Sequence, residues 1–236
     1  MKTMVDLKDK VALIVGAGSG LSASIARSFA DAGMKIALAA RSVDDLGPLA
    51  AEIGAGTFAA DAANREVVKK LYADLGATLG DPYAVVYNAS ARARGPVVEL
   101  DPAAVARAIA VSGYAGFLVG QQAARHMLPR GSGCILFTGA SASVKGYAQS
   151  SPFAMGKFAL RGLAQSMARE LAPQGIHVAH FVIDGAIRNP GRTEPADKPD
   201  SMLDPDAIAA SYLHLLQQPR SAWSWEIEVR PWVERF

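Results

Sequence analysis

The chain has 236 residues, half of them apolar and 19% charged, which suits one sizeable buried core and excludes a disordered chain. Twenty-four lysines and arginines against 22 aspartates and glutamates leave a net charge of +2, far from the basic stripe of a nucleic-acid binder. One cysteine, Cys134, and four histidines without a His-x-x-x-His pair exclude a disulfide scaffold and make no metal site expected.

At the start of the chain, Lys2 and the run Val11–Val15 imitate a secretory leader, but Asp6 and Asp9 lie between them and the apolar run is short. No apolar stretch is expected to approach the roughly 20 residues that cross a bilayer. The expectation is a cytoplasmic protein with no membrane partner. Apolar, β-prone runs then recur at 11–15, 36–40, 57–60, 84–87, 134–138, 178–183 and 226–229. Between most of them lie stretches with helical period, at 21–32, 64–79, 102–128 and 153–171. Strands apolar at nearly every position are buried on both faces, so the alternation predicts an α/β fold. The expected form is a single doubly wound, Rossmann-type parallel sheet of about seven strands, with helices on both faces, over residues 1–236. Residues 188–204 break the pattern with Pro190, Pro195 and Pro199, and Pro205 just beyond. They read as a mobile, lid-like surface loop before a last helix.

The first strand runs into Gly16-Ala17-Gly18-Ser19-Gly20-Leu21, which opens a helix. Glycines let backbone approach a pyrophosphate, and the helix N-terminus offers free N–H groups and a positive dipole end, so this turn predicts nucleotide binding. A dinucleotide fold usually ends its second strand on an acid for the ribose 2′-hydroxyl. This chain has Ala39-Ala40-Arg41-Ser42 there, and the Arg41 guanidinium suits a 2′-phosphate, favouring NADP(H) over NAD(H).

These motifs make the chain resemble the short-chain dehydrogenase/reductases over nearly its whole length. The family's Thr-Gly-x-x-x-Gly-x-Gly turn maps onto Val15 to Ser22, with the opening threonine and last glycine lost. Asp61-Ala62 matches the Asp that meets the adenine amino group, and Tyr87-Asn88-Ala89-Ser90 matches the Asn-Asn-Ala-Gly turn. Gly175-Ile176-His177-Val178 matches the start of the sixth strand, and Asp184-Gly185 stands in the place of Pro-Gly beside the nicotinamide. The resemblance thus implies cofactor contacts at Gly16, Gly18, Ser19, Gly20, Leu21, Arg41, Asp61, Ala62, Asn88, Ala89, Ser90, Lys157, Gly185 and Ile187.

The family's catalytic positions are altered. Tyr-x-x-x-Lys reads Phe153-Ala154-Met155-Gly156-Lys157, the asparagine falls on Ser112, and the serine after the fifth strand falls on Ser141, with Ser143 as the other register. In the family the tyrosine exchanges the substrate proton while the lysine lowers its pKa and binds the ribose. Phe153 has no proton to exchange, a loss of about a hundred- to ten-thousand-fold. Three readings follow. Tyr147, Tyr114 or a water held by Ser141 replaces the acid; the substrate takes its proton from solvent; or the chain binds NADP(H) as a sensor or scaffold. The expected partner is a small molecule, a carbonyl, alcohol or related compound. In relatives the helices over 102–128 and 153–171 form the dimer interface, and this chain places Ala123, Ala124, Gly156, Ala159 and Gly162 there, which implies a homodimer or homotetramer. Trp223, Trp225 and Trp232 suggest a tail packed on a neighbouring subunit or over the pocket. His126, His177, His180 and His214 read as packed or surface residues, and Cys134 as inert core.

Overall fold

A computed structural model describes residues 5–234. The seven apolar runs form β1 (Val11–Val15), β2 (Lys35–Ala40), β3 (Gly56–Ala59), β4 (Pro82–Tyr87), β5 (Gly133–Thr138), β6 (Ile176–Ile183) and β7 (Glu226–Val229). They make one sheet in the order β3-β2-β1-β4-β5-β6-β7, parallel throughout. Successive side chains alternate between the two faces. Ala12, Ile14, Val86 and Leu136 pack under α1 (Leu21–Asp31), α2 (Gly47–Ile53) and α7 (Pro205–Gln217). Leu13, Val15, Val85 and Phe137 pack under α3 (Arg65–Thr78), α5 (Ala115–Met127) and α6 (Ser151–Leu171). Cys134 lies in the first of these cores, where burial pushes its thiol pKa up and leaves it protonated.

Four details depart from the sequence reading. Helix α2 was not foreseen; it has seven residues and opens on Gly47-Pro48. Strand β3, at the sheet edge, is only half buried in an alternating pattern, since one of its flanks has no neighbour. The helix expected over 102–128 is α4 (Pro102–Ile109) and α5 joined by a π-helical turn, Ala110–Tyr114. That turn bulges where the Tyr87 hydroxyl donates to the Val111 carbonyl and the Ser112 hydroxyl holds Ala91.

The run Pro102–Arg130 also corrects the expectation about apolar length. It holds an 18-residue window of mean hydropathy 1.5, long and apolar enough by length and composition to cross a membrane. Here its apolar side packs on the sheet, with Leu118, Val119, Ala123 and Met127 in the core. Gly116 permits that contact: a Cβ there would lie 2.4 Å from Leu160 of α6. Gly156 does the same in reverse, its Cβ position falling 2.5 Å from Ser112. These small residues therefore serve contacts inside the chain. The outward faces of the same helices carry Tyr114, Phe117, Met155 and Phe158, all exposed.

Candidate functional site

From β1 the chain builds toward β3 on one side, then returns to place β4 on the other side of β1. The loops leaving β1 and β4 diverge, and a crevice opens at the C-terminal ends of the strands. Its larger part is a groove of about 670 Å³ lined by Gly16, Arg41, Asp61, Ala62, Asn88, Ala89 and Ser90, among others. Gly16 is required by conformation and by space: its φ is +87°, and a Cβ would lie 2.4 Å from the Ala89 nitrogen. The Asn88 amide donates to the Gly16 carbonyl at 3.3 Å, tying the β1 and β4 loops together. Gly18 is the opposite case. A Cβ there would meet nothing within 4 Å, so its glycine leaves an open cradle that a side chain would fill.

Gly20 begins α1 with no side-chain cap, and it lines the next cavity together with Leu21. Ser22, read from the sequence as a lost glycine, has a task of its own. Its Oγ accepts from the Gly18 N–H at 2.9 Å and donates to the Gly18 carbonyl at 3.1 Å, closing the turn on itself. Gly18 and Ser19, in the turn between Gly16 and Gly20, line neither cavity. At the end of β2 the groove is edged by Ala40, Arg41 and Ser42, and its one carboxylate is Asp61, whose Oδ1 accepts the Ala63 N–H at 3.0 Å.

A second, inner pocket of about 260 Å³ opens over β5 and α6. Lys157 lines it from α6, 3% exposed, and donates to the Thr138 carbonyl at 2.7 Å. Burial, and secondarily the charge of Arg92, pushes the Lys157 ammonium down to about 7. Phe153 lies one turn earlier on the same helix, its ring 5.7 Å from the Lys157 ammonium. On the ring lies the Arg92 guanidinium, 4.0 Å from the centroid. Gly185, with φ +151°, and Ile187 complete the wall. Gly139 is a glycine because of what stands behind it: a Cβ would fall 2.2 Å from Nε2 of the fully buried His180. The His180 Nδ1 lies 3.0 Å from Glu226, which Arg161 holds through two bonds of 2.7 and 2.8 Å. Burial outweighs the glutamate and drives His180 down to about 4, so the ring is neutral.

A third, outer pocket of about 410 Å³ shares Arg92, Ala140, Phe153, Ile183 and Gly185 with the inner one. Ser141 faces this outer pocket, where its Oγ accepts from the Tyr147 hydroxyl at 2.8 Å. The Lys145 ammonium lies 5.7 Å from the Tyr147 ring and donates to Asp184 at 3.5 Å, and these two neighbours hold it above its ordinary pKa. Ser143 is buried and turned inward, its Oγ accepting the Ala140 N–H. Two expected groups lie elsewhere. Ser112 is fully buried, bonded to both backbone groups of Ala91, and lines none of these three cavities. Tyr114 points outward and stacks on Phe117. The sequence reading also missed Arg92, Arg94 and Ala140, which carry no local motif and reach the site only through the fold.

The proline-rich segment is tied at its neck. Ile187 bridges Leu203, with Arg188 N–H to the Leu203 carbonyl at 3.0 Å and Leu203 N–H to the Ala186 carbonyl at 2.8 Å. An Arg188–Asp204 ion pair of 2.6 Å closes the same point. Of the tryptophans, Trp223 stacks on His177 at 4.7 Å and Trp225 lies under Arg161, so two of the three pack within the chain. Trp232 is exposed and donates from its ring nitrogen to Asp200 of the proline-rich segment at 3.3 Å.

A family profile described as short chain dehydrogenase matches residues 10–195. A solved short-chain dehydrogenase from Rhodopseudomonas palustris is 36% identical, with a TM-score of 0.82 over 95% of this chain and 100% of that one. A metagenomic short-chain oxidoreductase solved in complex with NADP is 26% identical, with a TM-score of 0.84 over 96% and 99% of the two chains. An uncharacterized oxidoreductase of Staphylococcus saprophyticus is 28% identical over 97% of this chain and its own whole length.

Proposed function

The chain belongs to the short-chain dehydrogenase family, and from that premise we propose an NADP(H)-dependent oxidoreductase for a small carbonyl, alcohol or related substrate, working with a non-standard proton donor. The observation that carries the cofactor half is the pair Gly16 and Gly18, one needed for the chain's own packing and the other opening a cradle at the start of α1. Gly20, Leu21, Asn88, Ala89 and Ser90 extend that wall, and Asp61-Ala62 faces the adenine end. Arg41, at the end of β2 where Ala40 and Ser42 flank it and no acid follows the strand directly, favours the 2′-phosphate of NADP(H). The related NADP complex supports the same preference.

When bound, the nicotinamide gives or takes the hydride. The chain's own residues position it and handle the proton. Lys157 holds the ribose, and Gly185 and Ile187 flank the ring. Phe153 occupies the place of the family tyrosine and supplies a stacking surface for Arg92 instead of a proton. The proton source is the pair Tyr147–Ser141, in which the Tyr147 hydroxyl donates to Ser141 and Ser141 presents its own hydroxyl to the outer pocket, with the Lys145 ammonium beside the Tyr147 ring. Ser112 acts at a distance, fixing the loop that carries Arg92.

A second reading rests on Phe153 itself: a protein that binds NADP(H) without turnover, as sensor or scaffold. The exposed Tyr114, Phe117, Met155 and Phe158 favour assembly into a homodimer or homotetramer in either case. Fluorescence titration with NADPH and NADH, using the three tryptophans, tests the cofactor assignment: micromolar NADPH binding with weaker NADH is expected. Binding of neither ends it. NADPH oxidation against a panel of carbonyls, alkenes and imines then separates enzyme from binder. Loss of turnover in Tyr147→Phe, with NADPH binding unchanged, identifies the donor; turnover equal to wild type in that variant rejects it.

A further inference from the structure

We infer that the substrate is an anion: a small molecule whose carboxylate or phosphate is held by Arg92 and Arg94 at the mouth of the outer pocket. The inference rests on the oxidoreductase reading above and adds a substrate class to it.

Among the described residues, no aspartate or glutamate lines the inner or the outer pocket, while four cations line the inner one and two the outer. Lys157 is held by the Thr138 carbonyl, and two other cations nearby have carboxylate partners. Arg188 pairs with Asp204 at 2.6 Å, and Lys145 with Asp184 at 3.5 Å. Among the described residues Arg92, Arg94 and Arg192 make no ion pair; burial, and then the charges of Arg94 and Arg192, hold the Arg92 pKa below its ordinary value. Like charges gathered without a counter-charge oppose the folded state and are relieved by an anion among them.

The geometry supplies a mode of binding. The Arg92 guanidinium lies on the Phe153 ring at 4.0 Å, which occupies its face and leaves its N–H edge available. That edge accommodates a carboxylate or phosphate through two parallel bonds. Arg94 stands two residues on in the same extended loop and lines only the outer pocket, away from the glycine turn, Leu21 and Lys157 that border the inner one. The replacement of a hydroxylated ring by Phe153 thus has a positive use, as the platform that orients Arg92 beside Ala140. The outer pocket, at about 410 Å³, admits a small acid or phosphate ester.

The test uses the full chain saturated with NADPH and titrates malonate, inorganic phosphate and neutral malonamide, following tryptophan fluorescence and Tm. Malonate or phosphate is expected to saturate and raise Tm, with malonamide inert; which of the two binds more tightly assigns the carboxylate or the phosphate class. Arg92→Gln is expected to weaken the anion about tenfold or more and Arg94→Gln by a smaller factor, with NADPH affinity within about twofold of wild type. Absence of saturable anion binding overturns the inference, as does equal binding by the double variant. Displacement of NADPH by the anions overturns it too, since the arginines then serve the cofactor's phosphates. If NADPH itself does not bind, the cofactor reading fails separately. The same titration on the protein alone, wild type against double variant, still decides whether the arginines hold an anion.

Discussion

Gly16, Asn88 and Ala89 shape the groove between β1 and β4 through backbone contacts, whereas Lys157, Arg92 and Arg192 give the pocket over α6 its positive charge. In the groove Asn88 is bonded to Gly16, and the one carboxylate among the described lining residues, Asp61, is engaged with the backbone of Ala63. In the inner pocket a buried ammonium has one carbonyl for a partner, and among the described residues two arginines, Arg92 and Arg192, have no acid. The groove is therefore stable as it stands and is read by shape. The pocket is strained by its own charges and is read by what relieves them.

Substitutions at the two nearby glycines separate packing from ligand space and should give the largest effects. Gly16→Ala is expected to cost about 2–4 kcal/mol of stability and to abolish NADPH binding, because the Ala89 backbone must move. Gly18→Ala is expected to unfold within about 0.5 kcal/mol of wild type while weakening NADPH about a hundredfold. Chemical denaturation and fluorescence titration of both variants check the pair; equal losses of stability would show that Gly18 is structural after all.

Lys157→Met takes the comparison into the pocket. It is expected to weaken NADPH by about ten- to a hundredfold, the size of a charge-assisted hydrogen bond, and yet to raise stability at neutral pH. The sign follows from linkage. The folded chain holds Lys157 down to about 7 against 10.5 when unfolded, so between these values the unfolded chain binds the extra proton. Wild-type stability should rise with pH across that window, and the Met variant should lose the slope. Urea midpoints at a series of pH values measure it.

Arg41→Ala should weaken NADPH about tenfold and leave NADH unchanged, which isothermal titration resolves. A pH-dependent effect lies behind the pocket. His180 is held down to about 4 from 6.5, so the unfolded chain gains a proton first as pH falls through that interval. Stability should drop by about 1.4 kcal/mol per pH unit there from this one group, seen as the difference between wild type and His180→Asn. A difference that stays flat with pH would mean His180 titrates normally.

The groove was legible in the sequence because its signals are local. A strand, a glycine turn and a helix lie within one stretch, and the first strand begins and ends where its apolar run does. The last strand is equally sharp, bounded at Glu226 and Val229. The pocket was harder to read because its members are assembled across the sheet. Arg92 and Arg94 follow β4, Ala140 follows β5, Phe153 and Lys157 ride on α6, and Arg192 comes from beyond β6. Nothing in the local sequence marks an arginine two residues past an Asn-Ala-Ser turn as a neighbour of a helix 60 positions on. The π turn at Ala110–Tyr114 was hidden for another reason. It keeps helical periodicity and differs only in where Ser112 and the Val111 carbonyl point, and those are set by Ala91 and Tyr87.

The neck at Ile187 and Leu203 has a consequence for how the chain tolerates change. Two backbone bonds and one ion pair return the chain to its starting point before α7 begins, so residues 188–202 form a closed excursion from an otherwise finished fold. Lengthening such a ring costs only slowly growing closure entropy. The excursion is thermodynamically separable from the sheet: its length and sequence can change at little cost to the core, and the groups it lends the inner pocket, Asn189 and Arg192, change with it.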